Sequence, residues 1–243
     1  MKKYDITFFF PVYNDERTVR TVAEKAETFL KDVAGEYQII IIDDGSPDNS
    51  GKIADQLAKE NDRIRVIHHE VNKGYGAALK TGFEASGHEI ICFTDGDDEY
   101  DTFDFYKLIK LIDFYDLIIT FRYRRMYSYY RIIVSRVYNA VLRVLFNIPY
   151  RDISTGLRMV RKSALQEVTL LSDSPFIGAE LTIKLMLKGY RIGQVGIQTF
   201  PRKFNKGSAA TVKNIIATIK DIIRIYRSIF SKNYDLSCHQ SQR

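Results

Sequence analysis

Hydrophobic positions in this chain follow two rhythms. In the first half, short apolar runs alternate with stretches whose apolar residues fall three or four apart. The runs predict strands at 6–10, 38–42, 65–69, 89–93 and 116–121. The periodic stretches between them predict helices at 16–31, 50–60, 77–85 and near 103–112. Strand and helix alternating in this way is the pattern of an α/β fold with a mostly parallel central sheet. The second half is more helical. Apolar residues at 130, 133, 134, 137, 138, 141, 142 and 145 predict an amphipathic helix with Arg131, Ser135, Asn139 and Arg143 along its polar stripe. Another is expected at 212–230, with Lys213, Lys220, Arg224 and Arg227 opposite its apolar face. A shorter helix is expected at 179–187, and a polar, aperiodic tail follows Ser231.

Open α/β sheets bind ligands in the crevice at the carboxyl ends of their parallel strands. Three polar clusters fall at such ends: Tyr13-Asn14-Asp15, Asp43-Asp44-Gly45-Ser46 and Asp95-Gly96-Asp97. The last follows a fully apolar strand without transition. Carboxylates at alternate positions past a strand end can converge, and their repulsion then calls for a cation. Hard oxygen donors suit Mg²⁺ or Mn²⁺, which makes Asp95 and Asp97 the candidate metal ligands. Taken alone, the segment also reads as a solvated acidic turn; three clusters meeting in space make a site.

Charge sharpens the picture. Residues 1–119 hold 14 Lys/Arg against 24 Asp/Glu, whereas residues 120–243 hold 22 against 6. An acidic half beside a basic half suits a metal site next to an anion site. The basic residues are interleaved with helical apolar stripes, which points to a membrane surface or a phosphorylated lipid and away from nucleic acid. Hydrophobic content of 45% supports a full core. Two cysteines, Cys92 and Cys238, give neither a disulfide framework nor metal-ligand spacing, so a cytoplasmic setting is expected. No signal peptide and no uncharged apolar run of membrane-spanning length are visible, so the chain is expected to lie on a membrane's inner face without crossing it.

Pro11-Val12-Tyr13-Asn14-Asp15-Glu16, Asp43-Asp44-Gly45-Ser46-Pro47-Asp48, Asn72-Lys73-Gly74-Tyr75-Gly76-Ala77 and Asp95-Gly96-Asp97 occur in this order. Together they resemble the family 2 glycosyltransferases of the GT-A fold. Later segments extend the likeness: Arg122, Asp152-Ile153-Ser154-Thr155-Gly156-Leu157-Arg158, Gly189-Tyr190-Arg191-Ile192, Pro201-Arg202-Lys203 and Gly207-Ser208. This second set is similar to the polyprenyl-phosphate branch, which includes dolichyl-phosphate mannosyltransferase. The resemblance implies a Rossmann-like GT-A domain over 1–210, and the amphipathic periodicity and polar end beyond it add a membrane-interfacial helix over 211–231 and a flexible tail over 232–243.

It also implies roles. Pro11, Tyr13, Asp15, Ile42, Asp43, Asp44, Gly74 and Gly96 match nucleotide-binding positions, although the family usually carries Glu where Asp15 stands. Asp95 and Asp97 match the Asp-x-Asp metal motif, with Glu99 as a third contact, where the branch often has Gln. Arg122, Arg131 and Ser135 match the acceptor-phosphate site, and arginine's planar fork suits phosphate oxygens. Arg202 matches an arginine on a loop that closes over the donor diphosphate. There Gly207-Ser208 is followed by Ala209 where the family has lysine, which leaves Lys203 or Lys206 as the basic partner.

The expected activity is an inverting, metal-dependent transfer of a hexose from a nucleotide diphosphate sugar, of GDP-mannose or UDP-glucose type, to a polyprenyl phosphate. A phosphate acceptor is already largely a dianion and needs no general base. The alternatives are a saccharide hydroxyl acceptor, for which Glu180 is the candidate base, and a non-catalytic nucleotide- or lipid-binding relative. His68 and His69 read as structural, and a membrane-protein partner is left open.

Overall fold

A computed structural model describes residues 4–124, 129–200 and 211–231, with the side chains of 124 and 129–131 excepted. The expected tail at 232–243, the loop carrying Arg202, Lys203, Lys206 and Gly207-Ser208, and the side chain of Arg131 therefore lie outside the described residues.

Seven strands form one sheet: β1 (Tyr4–Val12), β2 (Ala34–Asp43), β3 (Ile64–His68), β4 (Ile90–Phe93), β5 (Leu117–Arg124), β6 (Arg158–Arg161) and β7 (Ile192–Gln198). Their order is β3-β2-β1-β4-β6-β5-β7. Strand β6 pairs antiparallel with both β4 and β5, and every other pairing is parallel. Six strands thus point one way and β6 alone runs back. All five expected strands are present. Neither β6 nor β7 carries the apolar run that marked the others: β6 is Arg-Met-Val-Arg, and β7 is broken by Gly193 and Gly196.

Helices fill both faces. On one side, α1 (Val19–Val33), α2 (Ser50–Glu60) and α4 (Phe105–Ile109) pack on Phe8, Phe10, Ile39 and Ile41. On the other, α3 (Tyr75–Ala85), α5 (Tyr129–Phe146), α6 (Lys162–Gln166), α7 (Ile177–Leu187) and α8 (Val212–Phe230) pack on Phe9, Ile40, Ile42 and Phe93. Consecutive residues of β1 therefore serve opposite cores, as the two-residue period of a strand requires. This double coverage is why β1 reads as a nearly continuous apolar run, broken within 6–10 only by the buried Thr7.

The amphipathic helices pack differently from the simplest expectation. In α8 only one edge of the apolar face, Ile222, Ile225 and Ile229, is buried, while Val212, Ile216, Ile219, Ile223, Tyr226 and Phe230 stay exposed. In α5 each stripe is divided: Asn139, Leu142 and Phe146 are buried, whereas Arg143 is exposed and Ile133 is 59%, Val137 57% and Val144 84% exposed. Tyr226 meets Phe146 edge-on at 5.8 Å, so the two helices lie side by side.

One contact fixes α3 against the sheet. Phe9 stacks on Phe93 with centroids 5.4 Å apart, and Phe83 meets it edge-on at 5.2 Å. A Cβ on Gly82 would lie 2.3 Å from the Phe9 ring. Because that ring is held on two sides, Gly82→Ala is expected to destabilise the protein by about 1–3 kcal/mol. A urea or thermal midpoint equal to that of the wild type would show instead that the ring moves aside.

Candidate active site

The tips of β1, β2 and β4 meet at one edge of the sheet. After Val12 the chain turns through Asn14, which has φ of 61°, and the Tyr13 N–H donates to Asp15 Oδ2 at 3.0 Å. The Asp15 N–H in turn donates to Ser50 Oγ at 2.9 Å, and this ties the turn to the start of α2. Tyr13 leaves its ring 42% exposed, a flat surface at the crevice. The acidic loop lies directly against this turn. Thr18 Oγ1 donates to the Gly96 carbonyl at 2.7 Å, and a Cβ on Gly96 would lie 2.5 Å from the Pro11 carbonyl oxygen.

Asp43 and Asp44 are both buried and both hydrogen-bonded. Asp43 accepts from the Ser46 N–H at 3.0 Å and contacts His68 Nδ1 at 2.8 Å, while His68 Nε2 reaches Asp55 at 3.0 Å. Burial alone would lower the His68 imidazolium, but the bonds to Asp43 and Asp55 outweigh it and raise its pKa. Asp44 contacts His69 Nδ1 at 2.7 Å and accepts from the Lys73 and Gly74 N–H groups, each at 2.9 Å. Both histidines are braces for these carboxylates. The Ile42 side chain is fully buried in the core, so only its backbone borders the crevice.

Asp97 is buried, and its Oδ1 accepts from the Glu99 N–H at 3.0 Å. Asp98, at φ of 56°, turns to Lys25 of α1 with an ion pair of 2.8 Å. Glu99 is 4% exposed. Among the described residues no three His, Cys, Asp or Glu side chains are arranged to hold one ion. At the loop tip the Asp95 and Asp97 carboxylates are hard oxygen donors. They fit a hard divalent cation that completes its shell with substrate oxygens. The Asp95 carboxylate rests on Gly156, where a Cβ would lie 2.5 Å from both its oxygens.

Two partners in this region lie in segments that carry the resemblance but had no role assigned from the sequence. Tyr75 donates its hydroxyl to Asp95 Oδ1 at 2.7 Å. Burial, then the nearby Asp95 charge, push its pKa well above 10, so the hydroxyl keeps its proton. Arg158 is 1% exposed and binds the carbonyls of Thr155 (2.9 Å), Ile153 (2.6 Å) and Gly178, together with Thr182 Oγ1 (2.8 Å). It stitches the loop that carries Gly156 to α7. Burial lowers its pKa.

A cluster of paired charges and hydroxyls forms between β5, α5 and the loop before β6. Arg122 holds Asp152 through Nε at 2.9 Å and Nη2 at 3.2 Å, and Nη2 also reaches Ser135 Oγ at 3.2 Å and Ser154 Oγ. Asn139 of α5 accepts from the Ile153 N–H at 3.0 Å and fastens the same loop. Arg122 and Ser135 thus come together, and Asp152, Ser154 and Asn139 are the residues that fix them. Glu180, by contrast, is fully buried. It accepts from the N–H groups of Leu171 (2.9 Å) and Ser172 (2.8 Å) and pairs with Lys184 at 2.6 Å, which makes it a brace between α7 and its preceding loop.

The sequence matches the profile of Glycosyl transferase family 2 over residues 7–169. The chain belongs to glycosyl transferase family 2. Relatives of this family 2 chain include the polyprenol monophosphomannose synthase of Mycolicibacterium smegmatis, 26% identical over 87% of this chain and 84% of that protein. Glycosyltransferase AglD of Haloferax volcanii is 26% identical over 91% of this chain, which spans 37% of AglD. An undecaprenyl-phosphate 4-deoxy-4-formamido-L-arabinose transferase of Pseudomonas fluorescens is 30% identical over 67% of this chain and 49% of its own length. In structure, glucosyl-3-phosphoglycerate synthase of Mycobacterium tuberculosis, solved with Mn²⁺, UDP and phosphoglyceric acid, superposes with a TM-score of 0.72. That match covers 93% of this chain and 78% of the synthase at 17% identity. The fold is GT-A, as the resemblance implied.

Burial alone would raise the Asp152 carboxyl, but the Arg122 guanidinium and the Ser154 bonds overcome it and hold the pKa at about 2. A depressed folded pKa stabilises the protein above the ordinary carboxylate range and is lost as pH falls through about 2. Asp152→Asn should therefore lower stability by about 2 kcal/mol at neutral pH, with the difference shrinking between pH 5 and pH 2. Chemical denaturation across that range measures it, and a pH-independent difference would contradict the assignment.

Proposed function

We propose that this protein is an inverting hexosyltransferase that moves a sugar from a nucleotide diphosphate donor to the phosphate of a polyprenyl lipid at the cytoplasmic membrane face. One observation carries the reading: the acidic crevice and the Arg122–Ser135 cluster share a molecule whose α5 gives Ser135 and the buried Asn139 to that cluster and leaves Ile133, Val137, Val141 and Val144 exposed. The relatives named for polyprenol and undecaprenyl-phosphate chemistry support a lipid phosphate as acceptor. UDP in the solved synthase supports a nucleotide donor.

In this mechanism the donor base lies along Tyr13, with Asp43 and Asp44 as the opposite wall. Asp95 and Asp97 would hold Mg²⁺ or Mn²⁺, which supplies Lewis-acid neutralisation of the departing diphosphate. Arg122, fixed in orientation by Asp152, and Ser135 would bind the acceptor phosphate, with Arg131 on the same helix and Arg202 closing over the donor. An acceptor phosphate oxygen attacks the anomeric carbon as its bond to the diphosphate oxygen breaks, and the configuration inverts. The acceptor dianion has no proton to lose, so no base is required. Glu180 is engaged by two backbone N–H groups and Lys184, which speaks against a hydroxyl acceptor activated there.

The exposed residues Ile133, Val137, Val144, Ile216, Ile223 and Phe230 would enter the headgroup region beside the basic side chains of α5 and α8. No described helix is long and apolar enough to cross a membrane.

A donor-by-acceptor screen tests the activity. Release of UDP or GDP from UDP-glucose or GDP-mannose with Mn²⁺, stimulated by polyprenyl phosphate, is expected. Stimulation by saccharides alone would favour the second acceptor class, and silence with every pair would favour a non-catalytic relative. Asp97→Ala should reduce turnover at least about 100-fold, the equivalent of several kcal/mol of lost charge stabilisation, while the far-ultraviolet spectrum is unchanged. Retained turnover would remove the metal assignment. Val144→Asp combined with Ile223→Asp should weaken sedimentation with phosphatidylglycerol-containing vesicles by about tenfold or more, since each buried aliphatic side chain contributes about 1.5–3 kcal/mol. Equal sedimentation of the double variant and the wild type would refute the membrane face.

A further inference from the structure

Asp95 is gripped by two parts of the chain that lie far from it in sequence. Tyr75 sits in the first turn of α3, and its ring packs against the core beneath the crevice. Its hydroxyl reaches Asp95 Oδ1 at 2.7 Å. The carboxylate is an acceptor only, so the tyrosine must be the donor. From the other side Gly156 provides a seat that only a residue without a side chain can offer. The turn that delivers Tyr75 is held in place as well. Gly74 adopts φ of 94° and donates its N–H to Asp44 Oδ2 at 2.9 Å, and the Gly76 N–H donates to the Asp173 carbonyl at 3.1 Å. A buried carboxylate of the nucleotide wall thus anchors the turn that orients a carboxylate of the metal pair.

We propose that Tyr75 is a positioning residue that, with the Gly156 seat, locks the Asp95 carboxylate in the orientation needed to grip the divalent ion. The inference rests on the reading of Asp95 and Asp97 as metal ligands and adds what sets their affinity. Held between the hydroxyl and the glycine, the carboxylate loses little rotational freedom when the ion arrives, and preorganisation of this kind strengthens binding. Tyr75 touches neither donor nor acceptor in this account and acts through Asp95.

The test is Mn²⁺ affinity, read from the electron paramagnetic resonance signal of unbound Mn²⁺ with UDP present and, in parallel, with GDP. The wild type is compared with Tyr75→Phe, Gly156→Ala and Asp97→Ala. Tyr75→Phe removes one oxygen and keeps the ring, so it should weaken Mn²⁺ binding about tenfold while nucleotide affinity without Mn²⁺ and the melting temperature stay at wild-type values. Gly156→Ala should weaken Mn²⁺ at least as much, and it decides the question if Tyr75→Phe does not fold. Asp97→Ala should abolish binding. If Asp97→Ala abolishes binding but Tyr75→Phe and Gly156→Ala bind as the wild type does, the positioning role is overturned and the metal site stands. If Asp97→Ala itself binds Mn²⁺ normally, both readings fall together.

Discussion

Acidic side chains at the tips of neighbouring parallel strands repel one another, and the fold is organised around containing that repulsion. Each carboxylate at the sheet edge has been given a neighbour that fixes it. Asp43 and Asp44 take His68 and His69 together with backbone N–H groups, Asp98 takes Lys25, and Asp95 takes the Tyr75 hydroxyl. Such fixing is costly without a rigid base, because buried acids are tolerated only where their acceptors are satisfied. The base is a sheet packed with aromatic side chains on both faces, in which Phe8, Phe9 and Phe10 feed opposite cores from consecutive positions.

The same economy of placement governs the basic side. Arg122 is locked by Asp152 within reach of Ser135, while the opposite side of α5 presents apolar residues outward. A helix that leaves Ile133, Val137, Val141 and Val144 exposed along one side presents an apolar strip to its surroundings. Helix α8 beside it divides its apolar face between the core and the exterior, so packing and exposure coexist on one helix.

Much of this was legible in the sequence, for identifiable reasons. Helices α2 and α8 begin and end where their periodicity says, and the runs at β1, β2, β4 and β5 were legible because strands covered on both faces are largely apolar, whereas the edge strand β3 is mixed. The Asp-x-Asp loop was legible because acids directly after such a run have few structural explanations. Strand β6 was not, because its first residue is a buried arginine satisfied by carbonyls of the preceding loop and of α7. Tyr75 and Gly156 stand in matched segments, yet their roles at Asp95 were not legible: a hydroxyl 20 residues away in the chain, and an absent side chain further away, acquire meaning only after folding. Glu180 shows the converse, since a plausible base by position becomes a brace once its three partners are known.

The central claim is that two acids at the end of β4 hold a divalent ion against a nucleotide diphosphate. Crystals soaked with Mn²⁺ and either UDP or GDP, measured at the manganese edge, address it most directly. The account predicts an anomalous peak within about 2.0–2.3 Å of carboxylate oxygens of Asp95 or Asp97 and of the diphosphate. A nucleotide bound in the crevice with manganese elsewhere, or with no anomalous peak at all, would contradict it.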